Sequence, residues 1–134
     1  MQSTIFEKII KREIPAHIVY EDDETIAILD INPKTLGHTI VIPKTVSQNL
    51  LEMNPASLGE YFKVVQKVAK AIKESLNTKG CLFLLDGREV AHTHTHIIPR
   101  YTDDQVLLQD ADHVAYSSPE EMKEYGDKIR VYLN

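Results

Sequence analysis

Apolar residues follow two different spacings along this chain, and each spacing predicts a different kind of element. From residue 55 to 76 they recur every third or fourth position, the spacing of one face of a helix. Asn54 and Pro55 stand at the start of this segment, where an N-cap residue and a first-turn proline are favoured. The pattern therefore predicts one long helix over 55–76.

Two shorter helices are predicted from their capping patterns. Over residues 3–13, Thr4 and Glu7 have the spacing of a capping box. Near the C-terminus, Ser118 and Pro119 favour a helix start by the same reasoning. The apolar content of this last helix is thin, so we expect it on the surface or against a partner.

Runs of apolar residues bounded by turn-forming residues predict the strands. There are five such segments: residues 16–22, 25–31, 38–44, 81–87 and 92–98. The segment CLFLLDG, 81–87, is almost continuously apolar and predicts a buried strand. We expect an α+β domain: a five-stranded antiparallel sheet with the long helix on one face, a short N-terminal helix and a C-terminal helix.

Composition narrows the class of function. A chain of 134 residues suits a single domain, and its net charge of −5 argues against nucleic-acid binding. Cys81 is the only cysteine, which excludes a disulfide framework and a cysteine zinc cluster. The sequence shows neither a secretory signal pattern nor a run of about 18 apolar residues. We therefore expect a cytoplasmic protein without membrane association.

The segment AHTHTHIIPR, residues 91–100, carries the most distinctive chemistry. In an extended chain His92, His94 and His96 share one face, with neighbours about 6.6 Å apart and the outer pair about 13 Å apart. The outer pair is too far apart for all three imidazoles to bind one ion at bonds of about 2.1 Å. Two of the three imidazoles could still bind one metal ion together with a ligand from elsewhere in the chain. A row of three better suits a chain of phosphate oxygens.

HTHTHIIPRY resembles the histidine triad motif, and residues 5–44 resemble the N-terminal half of histidine triad nucleotide-binding proteins. The likeness extends over roughly residues 4–100. It implies one domain over 1–134, with 101–134 as a C-terminal extension. It also implies a homodimer with a joint sheet, for which the strand CLFLLDG is the candidate seam. The expected dimer binds a purine nucleotide and cleaves it at the α-phosphate without a cofactor.

The resemblance assigns catalytic roles to the three histidines. His94 matches the member that attacks phosphorus, His96 the one that contacts phosphate and assists the leaving group, and His92 the one that orients the others. An imidazole with an ordinary pKa of about 6.5 is a competent nucleophile at neutral pH.

The resemblance also assigns nucleotide-binding roles. Asp30 matches the residue that receives the ribose hydroxyls, and His38 matches a residue that supports the site from behind. The apolar residues matched to the base are Phe6, Ile9, Ile28 and Ile31.

Three departures from the family pattern affect the site. Thr93 and Thr95 stand where apolar residues are usual, so their hydroxyls need partners or water if they are buried. The stretch before the triad is short and has Asp86 in place of an asparagine, with Arg88 available to bind phosphate oxygens.

The third departure concerns a metal. Thr4 and Glu7 occupy the positions of a zinc-binding cysteine pair found in some bacterial relatives, so we predict no metal.

Two alternatives to an enzyme stay open. One is a nucleotide-binding regulatory module that has lost its chemistry, which the short segment and Asp86 favour. The other is a metal-binding protein that uses His92 with His94, or His94 with His96. The presence of all three histidines favours the enzyme, because a pure binding protein would tolerate loss of the central one.

Overall fold

The computed structural model describes residues 3–103, 105 and 113–133; the rest of the predicted C-terminal extension lies outside the described residues. Within these ranges five strands and three helices follow one another, with a 3-10 turn at Leu50–Glu52. In order they are α1 (Ile5–Ile10), β1 (Ile18–Glu21), β2 (Thr25–Leu29), β3 (Thr39–Pro43), α2 (Pro55–Leu76), β4 (Gly80–Leu84), β5 (Thr95–Arg100) and α3 (Pro119–Val131).

The strands form one antiparallel sheet in the order β1-β2-β3-β5-β4. This confirms the predicted α+β class and the five-stranded sheet. The β1–β2 hairpin is closed by Asp22, whose Oδ1 accepts hydrogen bonds of 2.8 Å from the amides of Glu24 and Thr25. Strand β5 lies between β3 and β4, with His96 level with Ile40 on one side and Leu84 on the other.

Each face of the sheet buries its own apolar cluster. Helix α2 covers one face, where Val41 and Ile97 join the helix residues Val65, Val68 and Ile72. Helix α1 packs on the other face through Phe6 and Ile9. Because α1 has only six residues, it covers part of that second face, and the rest is open to a ligand.

The capping patterns read from the sequence are present. The side chain of Thr4 accepts from the amide of Glu7, and the Glu7 carboxylate accepts from the amide of Thr4. Asn54 and Ser118 cap α2 and α3, each followed by a proline in the first turn. The long helix spans Pro55–Leu76, as predicted. No helix within the described residues is both long and apolar enough to cross a membrane.

The two unusual threonines have found hydrogen-bonding partners on the helix α2 side of the sheet. Thr95 is fully buried, and its Oγ1 lies 2.5 Å from the hydroxyl of Tyr61, which also donates to the carbonyl of Val41 at 2.8 Å. The Thr93 hydroxyl lies 2.7 Å from that of Ser47. Local pairing thus satisfies both hydroxyls.

Two strand predictions need correction. Strand β4 is an edge strand, not a buried one: within the described part of the chain it pairs with β5 alone, and Phe83 on it is 49% exposed. A continuous apolar run suits burial on both faces, but it suits equally a surface that is to be covered by another molecule. In addition, β5 begins at Thr95, so His92 and His94 lie in the segment before the strand.

The C-terminal helix packs against its own chain. Helix α3 lies on α2 and β1 and buries Ile129 completely. At Gly126 the approach is so close that a Cβ atom would lie 2.1 Å from Nε2 of His17. A helix with a thin apolar stripe can therefore still pack closely, because a glycine allows its backbone to reach the sheet.

Removing the buried tyrosine hydroxyl should destabilise the fold. We expect Tyr61→Phe to lower the free energy of unfolding by about 1–3 kcal/mol, because the buried Thr95 hydroxyl loses its partner. Tyr20→Phe is the control, since the hydrogen bond from Tyr20 to Asp22 is solvent-exposed. Urea unfolding measures both; equal losses, or no loss for Tyr61→Phe, would contradict the assignment.

Candidate active site

A cleft of about 360 Å³ on the sheet face that α1 leaves open is lined by His38, His94, His96 and His113. Strand β5 contributes His96 and Ile98, and β4 contributes Leu84. Loops contribute the remaining lining residues: Asp30, Asn32, Lys34, His38, Asp86, Gly87, Arg88, Glu89, His94 and His113. Six of the residues predicted for the site therefore meet here: Asp30, His38, Asp86, Arg88, His94 and His96.

The backbone of His92 orients the imidazole ring of His94. Its Nδ1 lies 2.6 Å from the main-chain carbonyl oxygen of His92. A carbonyl can only accept, so Nδ1 carries the hydrogen and Nε2 of the neutral ring keeps a lone pair. Burial lowers the pKa of His94 below its ordinary value. The ring is therefore neutral at pH 7, which is the form a nucleophile needs.

The side chain of His92 serves as an anchor beneath the cleft. It is fully buried, and its Nε2 donates to the carbonyl oxygen of Pro43 at 2.7 Å. The edge of its ring approaches Phe6, with centroids 6.3 Å apart. The contact that orients His94 thus comes from the backbone of His92, while the imidazole of His92 fixes that backbone to the end of β3.

His96, His38 and Asp30 form a compact polar cluster. Nδ1 of His96 lies 2.9 Å from Nε2 of His38. The Asp30 carboxylate lies 3.5 Å from the same His38 nitrogen and 3.9 Å from the same His96 nitrogen. Burial lowers the pKa of His38 to about 3 and that of His96 to about 4, so both rings are neutral at pH 7. Burial also raises the pKa of Asp30.

The glycine before His38 positions that residue. Gly37 has φ of +94°, and a Cβ atom there would lie 2.4 Å from Cδ1 of Leu76 at the end of α2. A larger residue would have to displace the Leu76 side chain and would be strained at this φ. Glycine is therefore favoured in the turn that leads into His38.

The apolar residues that were predicted to contact the nucleotide base lie at two different depths. Phe6, Ile9 and Ile28 are buried in the cluster beneath α1, where the Phe6 ring lies 4.7 Å from that of His94. Ile31 is 74% exposed and directly follows Asp30. Three of the four therefore support the site from inside the core, and one is open to a ligand.

Asp86 and Arg88 lie together on the rim of the cleft. Their side chains are 3.5 Å apart as an ion pair, and Arg88 is the more exposed of the two. A guanidinium close to Asp86 reduces the repulsion that this carboxylate would exert on a phosphate.

Sequence patterns did not indicate four polar or charged residues of the cleft lining: Asn32, Lys34, Glu89 and His113. His113 stands 81 positions from Asn32, yet its Nδ1 donates to the Asn32 carbonyl at 2.7 Å. A lone histidine outside a motif has no local pattern, so long-range packing alone brings it here.

Comparison with known proteins identifies the family. A family model described as the HIT domain matches residues 11–103. A HIT-like protein of Borreliella burgdorferi is 44% identical over 111 residues, 78% of this chain and 80% of the relative. This chain belongs to the HIT, or histidine triad, family, and membership supports a function of the nucleotide-binding or hydrolase type.

Solved structures agree with this assignment. A histidine triad nucleotide-binding protein of Sulfolobus tokodaii is 34% identical, with a TM-score of 0.84 over 96% of this chain and 90% of its own. A zinc-bound histidine triad protein of Mycobacterium smegmatis is 31% identical, with a TM-score of 0.84 over 98% of this chain and 93% of its own.

Proposed function

We propose that this protein hydrolyses purine nucleotides at the α-phosphate through a covalent intermediate on His94. The observation that carries the proposal is the hydrogen bond from Nδ1 of His94 to the His92 carbonyl, which leaves a lone pair on Nε2 of a neutral ring. The substrate class is a nucleoside phosphoramidate or a dinucleoside polyphosphate.

The reaction takes two displacements. Nε2 of His94 attacks the α-phosphorus, a phosphorus–nitrogen bond forms, and the bond to the leaving group breaks. The His92 carbonyl stabilises the positive charge that the substituted imidazole then carries. The leaving group takes a proton from solvent. Water next attacks the phosphorus and the phosphorus–nitrogen bond breaks. The nucleoside monophosphate keeps one hydrogen of that water, and the other returns to solvent as a proton.

Other cleft residues bind the nucleotide in this proposal. The Asp30 carboxylate accepts hydrogen bonds from the ribose hydroxyls, and Ile31 presents apolar surface to the base. Phe6, Ile9 and Ile28 support that surface from the core. Arg88 and Lys34, which both line the cleft, provide positive charge for the phosphates.

A resident zinc ion at the N-terminus is not part of this proposal, although the M. smegmatis relative is zinc-bound. Thr4 and Glu7 stand where a cysteine pair would be needed, and each side chain is engaged with the amide of the other in the helix cap. No thiolate is available there, so these residues do not fit a zinc site of that kind.

Loss of the nucleophile should abolish turnover without abolishing binding. We expect His94→Ala to reduce kcat by at least about a thousandfold while nucleotide affinity stays within about tenfold, roughly 1.4 kcal/mol. His92→Ala should cost less, because the carbonyl that holds His94 belongs to the backbone and remains. Turnover of a panel of adenosine and guanosine phosphoramidates and dinucleoside polyphosphates, with calorimetric binding of AMP, measures both effects.

Two results would contradict the proposal. Wild-type turnover by His94→Ala would show that the nucleophile lies elsewhere. Tight AMP binding by the wild-type protein, with no turnover of any compound in the panel, would favour the regulatory binding module.

We also propose that two copies pair through β4. Its outer edge has no strand beside it among the described residues, and an unpaired edge favours association. Beside it, β4 and α2 line an apolar groove of about 430 Å³, with Phe62 and Phe83 exposed. A second copy would continue the sheet and cover these side chains at once.

Sedimentation velocity at micromolar concentration tests the pairing. We expect a mass of about twice 15.3 kDa for the wild-type chain. Phe83→Glu should shift it towards one chain, because a charge would be buried at the seam. Leu51→Glu is the matched control, since Leu51 is 93% exposed and lies outside the groove. A single-chain mass for the wild type, or no effect of Phe83→Glu, would overturn the proposal.

A further inference from the structure

The segment that begins at His113 is fastened to the loop that follows β2. Nδ1 of His113 donates to the carbonyl oxygen of Asn32 at 2.7 Å. The next amide, that of Val114, donates to the carbonyl oxygen of Pro33 at 2.8 Å. His113 and Val114 lie beyond residue 103, where the match to the HIT family model ends. His113 therefore joins the cleft lining from outside the matched domain.

Tyr116 fixes the same segment near the start of α3. Its hydroxyl accepts a hydrogen bond of 2.9 Å from the amide of Gly37. Its ring lies against that of Tyr125 on α3, with the centroids 5.5 Å apart. Helix α3 in turn packs on α2 and β1 and buries Ile129 completely. The segment between His113 and α3 is thus fixed to the loop at both ends.

The bond to Asn32 determines which nitrogen of His113 keeps a lone pair. A carbonyl oxygen only accepts, so Nδ1 of the ring carries the hydrogen. Nε2 of the neutral ring is then a hydrogen-bond acceptor. His113 is exposed and lines the cleft, so a ligand bound there can use this acceptor.

Asp30 is a second acceptor in the same part of the cleft, and one of its oxygens is already engaged. Oδ1 accepts from the amide of Asn32 at 2.8 Å. Oδ2 lies 3.5 Å from Nε2 of His38. Burial raises the pKa of Asp30, whereas the amide of Asn32 and the nearby His113 oppose that rise. His113 is thus close enough to Asp30 to affect its charge.

We propose that His113 determines specificity for ribose nucleotides by accepting a hydrogen bond from one ribose hydroxyl through Nε2. The two neighbouring hydroxyls of a ribose each donate one hydrogen bond. Asp30 and His113 together supply acceptors for both of them. The role of His113 rests on the proposed function, because a nucleotide must occupy the cleft, but it does not depend on cleavage.

Two substitutions separate the roles of the two nitrogens of His113. His113→Asn keeps a donor close to the position of Nδ1 and removes Nε2, so the anchor to the loop remains and the acceptor is lost. His113→Gln is the matched control, since its amide oxygen can accept from about the position of Nε2. We expect His113→Asn to weaken calorimetric binding of AMP at pH 8 about fivefold, and His113→Gln to recover much of that loss.

Deoxy analogues of AMP identify the hydroxyl that His113 contacts. The 2′-deoxy and 3′-deoxy analogues each lack one donor, so the effect of His113→Asn should disappear for one analogue and persist for the other. Equal weakening for AMP and both analogues, or no weakening, would overturn the proposal. An equal loss in His113→Asn and His113→Gln would also overturn it, because both variants lack the ring that could pack against the base.

Binding and turnover distinguish this proposal from the proposed function. Wild-type protein that binds AMP but turns over no compound of the panel would count against the proposed function alone. Wild-type turnover with unchanged binding in His113→Asn would count against the role of His113 alone. Wild-type protein that binds no AMP would contradict both.

Discussion

The alternation of histidine and threonine between residues 92 and 96 is the constraint on which the candidate site depends. Successive side chains of an extended chain point to opposite faces, so a one-residue slip would exchange the two sets. Thr93 and Thr95 are tied to Ser47 and Tyr61 on the side of α2, and His92 is tied to Pro43. These bonds hold the register, and the register puts His94 and His96 at the cleft.

Burial gives those histidines their chemical state. The pKa values of His94, His38 and His96 are all lowered mainly by desolvation, which disfavours the charged ring. A neutral ring can be directed by a single hydrogen bond. The His92 carbonyl selects a lone pair on Nε2 of His94.

Local patterns were sufficient for much of the fold. The capping residues and the helical spacing placed α1, α2 and α3, and the shared face of the triad followed from the two-residue period. The run CLFLLDG was interpreted both as a buried strand and as the seam between two copies, because an apolar run does not distinguish a buried strand from a surface that a partner covers; the structure places β4 at an edge of the sheet. The packing of α3 depends on the contact of Gly126 with His17, which no local pattern predicts.

The candidate site likewise combines residues that local motifs predict with features that depend on long-range packing. Asp30, Asp86, Arg88 and the histidines were named from motifs, and the structure brings all of them except His92 to the cleft lining. The depths of Phe6, Ile9 and Ile28 depend on how α1 packs, and the presence of His113 depends on a contact across 81 positions. The sequence carries the residue types, whereas their depth and pairing arise only in the folded chain.

Identification of the covalent adduct tests the central claim most directly. The wild-type protein would be mixed with an adenosine phosphoramidate, quenched in alkali within the first turnover and digested for peptide mass spectrometry. The account predicts an added nucleoside monophosphate on His94, because a phosphorus–nitrogen bond to imidazole survives alkali. An adduct on another residue, or none while leaving group has already been released, would contradict it.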